Sequence, residues 1–203
     1  TVNYADEALA EFFQYMKDAG LYDNTIFVLY GDHFGISSSR NETLAPLIGA
    51  NADLWSAYDD AMMQRVPFII HNPGSGTGQI SDVYGGQIDI LPTVMHLLGV
   101  DTSAYVQLGQ DLLSAQNEGI VVFRNGSIVT SEYTILGNTV YHTQTGTLAY
   151  QTEEVIQKVA EIRAQAELQL AISDQIINGD LLRFYTPDGF MPVDKSLHNY
   201  VDS

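Results

Sequence analysis

The chain has 203 residues, enough for one large domain or one and a half ordinary ones, and with 45% hydrophobic and 16% charged residues it is globular. Lys and Arg number 8 against 25 Asp and Glu, a net charge of −17, which argues against nucleic acid or an anionic membrane surface as a partner. There is no cysteine, hence no disulfide and no thiol chemistry, and no apolar run reaches the ~18 residues of a membrane span.

From Asp6 to Ala19 apolar residues recur at helical spacing, and Gly20 follows as a stop, so an amphipathic helix is expected. Thr25 to Tyr30 is a continuous apolar run that suits a buried strand of a parallel sheet. It leads into Gly31-Asp32-His33-Phe34-Gly35. Open α/β sheets bind ligands beyond the carboxyl ends of their strands, which is where Asp32 and His33 fall, with the two glycines bracketing them. A carboxylate beside an imidazole is an ordinary ligand pair for zinc or manganese. The same spacing equally suits an Asp32 that caps a turn and a His33 held in the core by hydrogen bonds.

The segment from Thr43 to Met63 holds Trp55 and the acids Asp53, Asp59 and Asp60, read as a solvated helical face rather than a second cation site. Arg65 to His71 is a second strand. The glycine-rich loop from Asn72 to Gly78 lacks the lysine ending of a phosphate cradle. Gly86 to Gly99 reads as a short helix with Asp89 at its N-cap, Pro92 in its first turn and His96 in its apolar run, a core histidine. Beyond about Gln116 short strands over 119–123, 127–135, 139–142 and 148–151, split by Asn125-Gly126, Gly137-Asn138 and Thr145-Gly146, predict an antiparallel meander. A helix from Glu153 to Asn178 lies across it, and a tail with Phe184 and Tyr185 docks before a polar end expected to be disordered. The expected organisation is an α/β half-domain over 1–115 with a parallel-type central sheet, and a small α+β subdomain over 116–203. Because Thr1 stands inside what reads as a domain, the chain is expected to be a fragment or processed product.

Tyr30-Gly31-Asp32-His33-Phe34-Gly35-Ile36-Ser37, the segment Tyr84-Gly85-Gly86-Gln87-Ile88-Asp89-Ile90-Leu91-Pro92-Thr93, Phe123-Arg124-Asn125-Gly126 and the closing Asn178-Gly179-Asp180 run carry a resemblance. With the opening helix and Arg65-Val66-Pro67, they resemble the alkaline phosphatase and sulfatase superfamily, and within it the lipoteichoic acid synthase (phosphoglycerol transferase) family of Gram-positive bacteria. The resemblance implies an extracellular catalytic domain with one divalent cation, usually manganese, with magnesium or zinc as alternatives. A glutamate, a nucleophilic threonine and a consecutive Asp-His pair hold that cation. Asp32 and His33 match the pair, while the glutamate and threonine fall upstream of this chain in the family's order.

By the same resemblance the substrates are phosphatidylglycerol and a growing lipoteichoic acid chain, and the fragment is inactive without the amino-terminal half as its partner. A sheet left incomplete would expose an edge prone to pairing or aggregation. His71 and Arg124 are read as structural. The alternatives are a sulfatase or phosphodiesterase of the same fold, and a non-catalytic cell-surface binding module.

Overall fold

The computed structural model describes residues 2–76, 78–192 and 194. The chain forms two compact units, Thr1–Asp82 and Val83–Ser203.

The first unit opens with helix α1 (Val2–Asp18), which Gly20 ends in a left-handed conformation at φ 68°. Strand β1 (Phe27–Tyr30) follows, then two short helices, α2 (Asn41–Leu44) and α3 (Ala57–Met62), and strand β2 (Phe68–His71). The two strands pair from Phe27 opposite His71 to Tyr30 opposite Phe68, and they run antiparallel. That corrects the parallel direction expected for this pair. A continuous apolar run reports burial of both faces and carries no information on direction; here the 31–67 connection returns to the end of β1 from which it left. Of β1 itself, Phe27 is buried and Tyr30 is exposed.

Aromatic rings hold α1 to this pair. Phe12 and Phe13 sit against Phe27 with ring centroids 6.1 and 4.9 Å away, and Phe27 stacks on His71 at 5.9 Å. Tyr22 Oη and His71 Nε2 share a hydrogen bond of 2.6 Å. Each such ring pair adds about 0.5–1.5 kcal/mol beyond its buried area. His71 thus packs and hydrogen-bonds within this aromatic group.

In the second unit a 3-10 turn, Gln87–Asp89, leads into helix α4 (Ile90–Leu97). Asp89 stands at the N-cap position, yet its carboxylate does not cap the helix. It accepts the N–H of Gly86 at 2.8 Å and that of Gln110 at 2.7 Å. Thr93, fully buried, donates its hydroxyl to the Asp89 carbonyl at 2.6 Å and accepts the Leu112 N–H at 2.9 Å. Gly109, at φ 88°, passes so close that a Cβ there would lie 2.2 Å from the Ile88 carbonyl oxygen. The Asp-x-x-Pro-Thr sequence is thus a clasp holding the 109–112 loop to the start of α4. His96, expected in the core, is instead exposed in the last turn, with Nδ1 2.6 Å from an Asp111 carboxylate oxygen.

The meander follows as β3 (Val121–Val122), β4 (Ile128–Val129), β5 (Tyr133–Leu136) and β6 (Thr139–His142), antiparallel neighbours in that order. The single strand expected over 127–135 is two strands. Thr130 makes the break, its Oγ1 accepting the Tyr133 N–H at 2.9 Å while its own N–H bonds the Tyr133 carbonyl at 2.8 Å. The strand expected over 148–151 is reduced to one bridge, Leu148 with Tyr141.

Helix α5 (Glu153–Asn178) packs Val159, Ile162 and Ala166 onto Ile128, Tyr133, Ile135 and Val140. At about 39 Å it outreaches strands of two to four residues, and Ile156 and Ile172 remain exposed. In the tail Tyr185 docks by donating its hydroxyl to the Ala104 carbonyl, whereas Phe184 is 78% exposed and does not. The polar end lies outside the described residues.

Thr93→Val removes the hydroxyl while keeping the shape, leaving the Leu112 N–H unpaired, and is expected to cost about 1–3 kcal/mol in urea unfolding of the full-length protein. Thr93→Ser keeps the hydroxyl and should cost about half as much or less.

Lys158 on α5 pairs with Glu132. The Lys158 ammonium holds the Glu132 carboxyl below its ordinary value, and the Glu132 bond raises Lys158 above its own. A depressed acid contributes stability above its unfolded value and loses it as pH falls through the folded one. The melting temperature of wild type relative to Glu132→Gln should therefore fall below about pH 4.5, hold from there to about pH 10.5, and decline above that as pH rises through the raised value of the folded lysine.

Candidate metal centre

The candidate site sits where β1 ends. The Gly31 N–H donates to the Pro67 carbonyl at 3.1 Å, which closes the β1–β2 pair one residue beyond the ladder. A Cβ on Gly31 would lie 2.7 Å from Val66 Cβ and 2.9 Å from Val66 Cγ1. No side chain fits there, so glycine is required by close approach and not by an unusual φ. Gly35, by contrast, has nothing within 4 Å of a Cβ, and the need expected for it does not appear.

With the strand exit fixed, Asp32 and His33 project into solvent, their side chains 85% and 75% exposed. His33 is therefore not a core histidine. Its Nδ1 lies 2.8 Å from the Phe34 carbonyl oxygen. A carbonyl can accept but not donate, so Nδ1 carries the proton, and in the neutral ring the lone pair is left on Nε2. That nitrogen lies 3.7 Å from Asp32 Oδ1. Two ligands each about 2.1 Å from one dication stand about 3.0–3.4 Å apart, so the exposed pair need close by only a few tenths of an ångström to hold one. A hard carboxylate oxygen and a borderline imidazole nitrogen, the latter oriented through its other nitrogen, form a donor set suited to manganese or zinc. The pair fits a cation on chemistry and spacing, and it supplies two positions of a coordination shell. Among the described residues no group of three His, Cys, Asp or Glu side chains converges as a metal cage.

The other residues singled out by sequence lie elsewhere and are occupied. Asp59 closes a capping box on α3, accepting the Ser56 N–H at 2.8 Å and its hydroxyl at 2.7 Å. Asp60 takes the Asn41 amide at 2.9 Å and the Trp55 indole N–H at 3.0 Å on one oxygen. Two of the three acids expected to form a solvated face thus have structural work, a role that acid spacing could not reveal. In the glycine loop the Asn72 side chain accepts the Gly74 N–H at 3.2 Å, which turns an amide inward instead of toward an anion. Arg124 pairs with Asp174 on the surface.

Residues 1–100 match the sulfatase family. The chain is 40% identical over 200 residues to lipoteichoic acid synthase 1 of Bacillus subtilis, covering 98% of this chain and 30% of that protein. It is 36% identical over 200 residues to the lipoteichoic acid synthase of Staphylococcus aureus, with the same 98% and 30% coverage. The crystal structure of the lipoteichoic acid synthase LtaP from Listeria monocytogenes superposes with a TM-score of 0.66 at 29% identity, over 84% of this chain and 44% of that one. The chain therefore spans about 30% of the length of the curated relatives it matches. Over residues 1–100 the chain carries a sulfatase family domain, and over nearly its whole length it is homologous to lipoteichoic acid synthases.

Proposed function

We propose that this chain is the downstream part of a metal-dependent phosphoglycerol transferase, in which Asp32 and His33 supply two ligands to a divalent cation, manganese in the first instance. The observation that carries the reading is the oriented pair itself, His33 Nε2 facing Asp32 Oδ1 at 3.7 Å on the rim of β1. The names of the relatives point to lipoteichoic acid synthesis. The family resemblance implies the rest of this reading, transfer of glycerol phosphate from phosphatidylglycerol to a growing lipoteichoic acid chain at the outer face of a Gram-positive cell membrane or in secreted form. The nucleophilic threonine and the remaining ligands lie on an upstream portion of a longer protein, and the domain division at 115/116 belongs to this same reading.

The chain's own residues have definite tasks. Gly31 lets β1 and Val66 close together and sets where the next two side chains emerge. Asp32 brings negative charge to the rim, and the Phe34 carbonyl fixes the His33 ring with Nε2 outward. A dication there would lower the pKa of a coordinated hydroxyl and offset charge growing on phosphoryl oxygens. A polyanionic substrate meets a chain of net charge −17, so its attraction must come from such a cation or from basic groups elsewhere. The sulfatase match over residues 1–100 favours a second reading, sulfate or phosphate ester hydrolysis at the same metal site.

In the intact protein Asp32→Ala and His33→Ala should each abolish manganese binding in calorimetric titration and lower turnover by at least about a hundred-fold. Retention of both metal and turnover in Asp32→Ala would sink the assignment, while turnover of sulfate esters alone would favour the second reading. Gly31→Ala must push Val66 aside; it should weaken manganese binding and lower stability by about 1–3 kcal/mol, seen as an earlier urea midpoint.

A further inference from the structure

We propose that Asn41 is a positioning residue for the metal pair: its hydrogen bond to Asp60 fixes the far end of the loop that carries Asp32 and His33, and so sets the affinity of the site for a dication. The inference rests on the reading of Asp32 and His33 as ligands.

Three observations carry it. Residues 32–40 are all exposed, so the loop has little packing of its own, and the bonds from His33 to Phe34, Ser37 to Ser39 and Arg40 to Ser37 are local. Its near end is pinned at Gly31. Its far end is Asn41, 2% exposed, whose Nδ2 donates to Asp60 Oδ1 at 2.9 Å.

The acceptor is shared. The same Asp60 oxygen takes the Trp55 indole N–H at 3.0 Å, which ties the carboxylate to the start of α3 from a second side. The loop is therefore moored to an oxygen that is itself held in place.

The third observation is a cost. Asn41 Oδ1 is buried with no hydrogen-bond partner among the described residues. The amide cannot turn to relieve it, because turning would set Oδ1 against the Asp60 carboxylate, acceptor facing acceptor. A leucine of the same shape would remove this unmet acceptor, but it would also take a donor from the part-buried Asp60 carboxylate and leave the Trp55 indole on that oxygen. An amide kept here at a cost is explained by where it holds the chain. Ligand pairs need placement within about 0.5 Å, and a loop exposed along its length reaches that only if both ends are fixed.

The test uses the intact protein, with manganese affinity read from the electron paramagnetic resonance signal of unbound Mn²⁺ and stability from metal-free melting. Asn41→Leu should weaken manganese binding by about ten-fold, whereas Asp60→Asn, which keeps the accepting oxygen, should stay within about three-fold of wild type. Trp55→Phe removes a donor from the same oxygen without touching the loop, so it should lower the melting temperature and leave affinity within about three-fold. Should Asn41→Leu not fold, Asn41→Ser takes its place and is read the same way. Wild-type affinity in the Asn41 variant, with Asp32→Ala unable to bind, would overturn the positioning role and leave the metal reading intact. Equal loss in the Asn41 and Trp55 variants would also overturn it, as a general structural effect. Manganese binding by Asp32→Ala would instead remove the metal reading itself.

Discussion

The first unit depends on how closely β1 and β2 approach at their rim. Where Gly31 passes Val66 there is no room for a single methyl group, and the Gly31 N–H closes the pair through Pro67. Everything placed on the next two residues inherits that constraint. The aromatic group of Phe12, Phe13, Tyr22, Phe27 and His71 works on the opposite end of the two-stranded ladder, holding α1 against it. One end of the pair is thus built for packing and the other for presenting side chains to solvent.

The second unit is organised on a comparable principle with different chemistry. A buried carboxylate and a buried hydroxyl, Asp89 and Thr93, gather backbone N–H groups from two separate stretches, and Gly109 allows the backbones to touch. These groups are satisfied by backbone, which gives the acid at the N-cap and the threonine four residues on a structural task. The meander and α5 then form a core of ordinary apolar packing, centred on Ile135, with the buried Thr134 and Thr143 hydroxyls paired at 2.9 Å.

Much of this was legible in the residues, and the failures have physical causes. The helix expected from Asp6 to Ala19, which the structure begins four residues earlier at Val2, and the helix over 153–178 follow from apolar periodicity and glycine stops, and the meander from its Asn-Gly and Gly-Asn turns. The break at Thr130 escaped because a threonine hydroxyl makes that turn without glycine, proline or asparagine. The direction of the β1–β2 pair escaped because apolar content specifies burial and not polarity of pairing. His96 was assigned to the core from its neighbours, although the last turn of α4 faces solvent and Asp111, far along the chain, is its partner. In the site the Asp-His pair stood out by type and adjacency. The roles of Gly31, Asn41 and Asp60 did not, since each depends on a contact made by residues distant in sequence.

The central claim is that Asp32 and His33 bind one cation together, His33 through Nε2. Anomalous diffraction at the manganese absorption edge from crystals of the intact protein tests it most directly. The account predicts a single peak within about 2.5 Å of both an Asp32 carboxylate oxygen and His33 Nε2, with Nδ1 still donating to the Phe34 carbonyl. A peak that touches neither side chain, or one reached through Nδ1, would contradict it.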